Sequence, residues 1–133
     1  MKTRLPSAFS LVEVLAAVAL IGIITFLALP NIVRIKQDSE QSLAIARAEA
    51  INLAMASFVQ AKGQEAAATE WGGASDAEAR YTKLAPYLAY APPTLADYMP
   101  GGYTVTLPSP LISTTTHKLE KAALTGPGGA IPY

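Results

Sequence analysis

The stretch AFSLVEVLAAVALIGIITFLALPNI, residues 8–32, decides how this chain is read. From Phe9 to Leu29 only Ser10, Glu13 and Thr25 are polar, Gly22 lies in the middle, and Pro30 closes the run. Twenty-one residues in a helix, each rising about 1.5 Å, cover roughly 30 Å, the thickness of a bilayer's hydrocarbon core. One residue contradicts that simple picture. An unpaired carboxylate inside lipid costs on the order of 3 kcal/mol, and Glu13 lies only four residues after Phe9.

Two ordinary readings meet difficulties. A cleaved secretory signal agrees with the positive start, Lys2 and Arg4, but the run is long and no small-x-small site precedes Pro30. A single-span anchor has no charge asymmetry to orient it, since Lys2 and Arg4 on one side face Arg34 and Lys36 on the other. On its own, Glu13 reads as an acid in a first helical turn, favoured by the helix dipole.

Beyond Pro30 the helical pattern resumes over residues 31–63. Ile32, Ile35, Leu43, Ala46, Ala50, Leu53, Met55, Phe58 and Val59 share one broad side, with Arg34, Lys36, Glu40, Arg47 and Asn52 mostly between them. Gly63 is a stop signal. One helix over 9–62 is expected, about 80 Å long at 1.5 Å per residue. Its first half, 9–30, is apolar all round; its second half has one face to cover. That face is rich in alanine and spans too few heptads for a coiled coil, so cover from its own domain is expected.

Residues 64–133 are then a small head. Residues 64–74 read as a loop with Trp71 as a core anchor. Ser75 and Glu78 have capping-box spacing at the start of a short helix ending near Pro86. A single turn is expected over 94–98, and a strand over 103–107. A second strand is expected within 111–124 and a short edge at 130–133. The fold class is therefore α+β: a long N-terminal helix packed against a head with a short helix and a two- or three-stranded antiparallel sheet, a stick carrying a small knob.

The chemistry inventory points away from an enzyme. Ten basic and ten acidic residues leave no basic field for nucleic acid. Cysteine is absent and the one histidine, His117, has no partners in sequence for a metal or catalytic role, so it reads as a side chain on an exposed strand. The carboxylates are scattered, and GPGG at 126–129 is a turn rather than a phosphate cradle. No cofactor and no metal are expected. The six tyrosines are accounted for by packing with exposed hydroxyls.

Phe9, Glu13, Gly22 and Pro30 at these spacings resemble the N-terminal segment of type IV prepilins and the related pseudopilins of type II secretion. The resemblance covers about the first thirty residues. It implies a leader over 1–8, cleavage of the Ala8–Phe9 bond by a prepilin peptidase, and N-methylation of Phe9. The position before the cut, usually glycine in the family, is Ala8 here. Removing Lys2 and Arg4 would leave eight basic and ten acidic residues, a balance of minus two. The resemblance further implies that Glu13 pairs with the Phe9 amine of a neighbouring subunit. Such pairing makes a charge tolerable in an apolar bundle. Gly22 and Pro30 would be the helix-weakening and kink positions; Gly22 also reads as a point of close helix contact.

The implied partners are other copies or related pilins, the peptidase, an inner-membrane assembly platform, and lipid before assembly. The implied location is the bacterial inner membrane, then a periplasmic or extracellular fibre. The calcium site of major pseudopilins is not expected, because Glu120 is the one carboxylate residue beyond Tyr98. The disulfide-closed loop of many pilins is excluded by the lack of cysteine. The alternative function is a monomeric single-span protein whose head binds a periplasmic partner.

Overall fold

The computed structural model describes residues 8–133; Lys2, Arg4 and the rest of the expected leader before Ala8 lie outside the described residues. The chain is α+β, in the order α1 (Leu11–Lys62), α2 (Gln64–Gly72), α3 (Ala77–Leu84), a 3-10 turn (Ala85–Tyr87), α4 (Leu95–Tyr98), β1 (Thr104–Thr106), β2 (Ala123–Gly126) and β3 (Gly129–Ile131). It falls into two compact units, Met1–Asp38 and Ser39–Tyr133, with the division inside α1.

In the first unit every described residue is exposed, including Phe9, Ile21 and Phe26. Its apolar run reaches a mean hydropathy of 2.6 over an 18-residue window with none of it buried, which makes α1 long and apolar enough to cross a membrane. Pro30 sits inside α1 without ending it. Proline lacks an N–H, so the carbonyl four residues back, that of Phe26, loses its helical donor. Nearby, the Thr25 hydroxyl donates to the Ile21 carbonyl at 2.7 Å.

In the second unit the remainder of α1 supplies one wall of the core through Ala44, Ala48, Ile51, Ala54, Met55 and Phe58. The alanines let neighbouring elements come close, and Phe58 with Trp71 and Tyr81 fills the centre. Phe58 meets Trp71 at 6.1 Å and Tyr87 edge-on at 6.0 Å between ring centroids, spacings typical of favourable aromatic pairs. Trp71 is the expected core anchor, and its indole N–H donates to the Pro108 carbonyl at 2.8 Å.

The sheet is antiparallel, in the order β1-β2-β3, with Val105 opposite Leu124 and Leu124 opposite Ile131. Val105 and Leu124 face the core. Pro127 and Gly128 turn β2 into β3, as GPGG suggested, with Gly129 at φ 112. Gly126 is tightly enclosed: a Cβ there would lie 2.8 Å from Ile131 Cδ1 and 2.9 Å from Tyr103 Cε1.

Several local expectations are corrected. Residues 64–72 are a helix, not a loop: Gly63, at φ 86, interrupts α1 and a new helix starts one residue later. The cap of α3 is Asp76, whose carboxylate accepts from Ala79 N–H at 2.8 Å. Glu78 instead reaches across to accept from Leu95 N–H at 3.1 Å. Between 111 and 122 the chain forms a hairpin held by an isolated bridge, Ile112 to Leu119, and the second strand comes later, at Ala123. His117 is at the hairpin tip with φ 56, not on a strand.

Candidate assembly site

The residues singled out in the sequence lie at the start of α1. Ser10 precedes the helix and its hydroxyl accepts from Glu13 N–H at 3.2 Å, while the Glu13 carboxylate accepts from Ser10 N–H at 3.4 Å. This reciprocal pair is a capping box. It satisfies two of the donors that a helix start otherwise leaves without partners. Its signature in the sequence is the S-x-x-E spacing at 10–13. Glu13 is therefore both the acid near the dipole's positive end and a direct bonding partner of the backbone.

Phe9 is 85% exposed, and Phe9, Glu13, Val14, Ala17 and Val18 border one shallow open depression. The structure thus brings Phe9 and Glu13 to one surface. Ala8 is exposed immediately before them, whereas Gly22 and Pro30 lie further along α1 and line no part of that depression. A Cβ at Gly22 would meet nothing within 4 Å in the single chain.

A second polar constellation, invisible in the sequence, ties the head to α1. Asn52 Oδ1 accepts from Ala122 N–H at 2.9 Å, and Asn52 Nδ2 donates to the Tyr133 hydroxyl at 3.1 Å. That hydroxyl in turn donates to the Ala122 carbonyl. On another flank, Arg47 donates to the Tyr98 carbonyl and lies 5.5 Å from the Tyr98 ring centre. Periodicity placed both residues on the polar side of the helix. They are instead half-buried contacts.

Burial pushes the Tyr81, Tyr98 and Tyr133 hydroxyls above the ordinary value of 10.0. The Arg47 charge opposes the shift at Tyr98, and the Asn52 hydrogen bond opposes it at Tyr133. Glu70 is held below the usual carboxylate range, first by its hydrogen bond with Lys62 and also by Lys83, at 3.2 and 3.5 Å. Among the described residues, no group of three or more His, Cys, Asp or Glu side chains is placed to hold a metal. No family model, curated protein or solved structure matches the chain.

Proposed function

We propose that the chain is a structural subunit of a type IV pilus-like filament, made as a prepilin, cut between Ala8 and Phe9, and polymerised through α1. The observation that carries this reading is the placement of Glu13 at the first turn of α1, whose apolar part up to Asp38 is exposed throughout, on the same surface as Phe9. Lipid suits the apolar residues but not the acid. A bundle of such helices suits both, provided each carboxylate meets a cation. Cleavage would create that cation as the Phe9 amine, and methylation would keep it basic. In this scheme the chain first resides in the inner membrane and then enters a periplasmic or extracellular fibre, handled on the way by the peptidase and an assembly platform.

Mass spectrometry of the native protein tests the reading. A methylated Phe9 at the N-terminus is the expected result. A chain beginning at Met1, or beyond Pro30, overturns it.

The capping box favours a second reading, in which Glu13 merely starts the helix of a monomeric anchor whose head binds a partner in the periplasm. The two readings differ in what the charge of Glu13 is for, and substitutions that separate its charge from its hydrogen bonding distinguish them.

A further inference from the structure

Within the unit Ser39–Tyr133, α1 has a side that the head leaves uncovered. Leu43, Ala46, Ala50, Leu53 and Ser57 recur every three or four residues, so they share one side of the helix. That side lies roughly opposite Ala48, Met55 and Phe58, which face the core. Periodicity groups Leu43, Ala46, Ala50 and Leu53 with Phe58 on the face to be covered. In the structure Leu43 is 44% and Leu53 69% exposed, and Ala46 between them is exposed as well. Glu40, Arg47 and Glu49 fall to either side of this strip, which carries no charge from Ser39 to Gln60. A helix that meets water on its outer side ordinarily carries charge there. An uncharged strip with two exposed leucines and small residues between them is a seat for another helix, which small residues allow to come close.

The same chain holds a helical run with nothing over it. From Phe9 to Leu29 every residue is exposed, and the run is apolar all round. Once it leaves lipid, as the filament reading requires, such a surface must be covered on every side. Run and strip match in length: 21 residues from Phe9 to Leu29 cover about 32 Å, and 22 residues from Ser39 to Gln60 about 33 Å. Copies that leave one membrane also share one polarity, so the two surfaces meet in parallel.

We propose that the uncharged strip of α1 in one copy seats the apolar run of a second copy, the helices parallel and offset by about thirty residues, or about 45 Å. Run and strip are different surfaces and every copy carries both, so the contact is heterologous and extends from copy to copy. The inference rests on the filament reading for its polymer, and it gives residues 39–60 a contact separate from the pairing of Glu13.

The chain contains no cysteine, so full-length single-cysteine variants report contacts directly. The offset brings Ala46 of one copy level with Ala16 of the other, and Ala16, Ala17 and Ala19 point in three directions around the run. Ala46→Cys is co-expressed with Ala16→Cys, Ala17→Cys or Ala19→Cys in turn, and sheared fibres are oxidised with copper phenanthroline. At least one pair should give a mixed disulfide several-fold above the Ala46→Cys self-disulfide. It should also exceed any product formed when Ala123→Cys, exposed on β2, replaces Ala46→Cys. No mixed disulfide from any of the three pairs overturns the proposal, as does a product no greater than that with Ala123→Cys. Predominance of the Ala46→Cys self-disulfide, which sets strip against strip, overturns it too. Ala46→Glu gives an independent reading. The site is exposed, so denaturant titration of the head should be unchanged, while sheared fibres fall about tenfold or more because a carboxylate is buried without a partner. Wild-type fibre yield from Ala46→Glu, or a loss no greater than that from Ala123→Glu, overturns the proposal. The N-terminus is measured in the same samples: fibres with methylated Phe9 but no cross-link remove only this contact, whereas an unprocessed chain without fibres removes the filament reading.

Discussion

Changing Glu13 to glutamine should abolish filaments while leaving the start of α1 intact. Glutamine serves at the third position of a capping box as glutamate does. The hydrogen bond to Ser10 N–H, 3.4 Å in the native chain, can therefore be kept while the charge is lost. Losing a helix cap costs about 1 kcal/mol. Leaving an ammonium unmatched in a buried bundle costs about 3–5 kcal/mol. At 1.4 kcal/mol per factor of ten, the second loss weakens subunit addition by about 10²- to 4 × 10³-fold, the first by roughly tenfold or less. Three variants separate the contributions. Ser10→Ala removes one half of the box and should lower fibre yield mildly. Glu13→Gln and Glu13→Ala should both reduce sheared fibres to background while the membrane-bound subunit persists, as judged by immunoblots of the two fractions. Wild-type fibres from Glu13→Gln, with a defect confined to Glu13→Ala and Ser10→Ala, would refute the pairing role and make Glu13 a helix cap.

Other expectations concern processing and the head. Ala8→Gly should raise or preserve the fraction of chain cleaved before Phe9, measured by intact mass; a fall would count against Ala8–Phe9 as the cut bond. Asn52→Ala leaves the Ala122 N–H without its partner and should destabilise the head by about 1–3 kcal/mol, read by denaturant titration in detergent. Gly126→Ala drives a methyl against Tyr103 and Ile131 and should cost about 1–3 kcal/mol, read in the same titration. Tyr81, Tyr98 and Tyr133 have raised values when folded, so the native state binds more protons than the unfolded state above pH 10. Their contribution is full below that pH and is lost as pH rises. Tyrosinate absorbance should show the Tyr81, Tyr98 and Tyr133 hydroxyls titrating later in the folded chain than in the unfolded chain.

Legibility followed the range of the forces involved. The apolar run and the end of α1 at Gly63 could be read because hydropathy and a left-handed stop act within a few residues. The core role of Trp71 follows from its size. Helix α2 was missed because the glycines after Trp71 suggest a loop, although Ala66, Ala67 and Ala68 are strong helix formers. The capping box at Ser10 was legible but overlooked. The contacts of Arg47 and Asn52 were not legible: their partners lie 51 and 70 residues away, and a period of 3.6 cannot tell a polar side chain facing water from one inserted between elements.

Those two residues also have a mechanical meaning. Five positions apart, at about 100° per residue, they project about 140° from one another around α1. One is fastened to the end of α4 and the other to the chain entering β2. A cylinder held by two pins on different flanks can neither roll nor slide against its cover. Pulling along the axis must shear the packed alanine face and both pins together, rather than peel them one by one. Within Ser39–Tyr133, α1 is thus held to its cover at two separate points as well as along the packed alanine face.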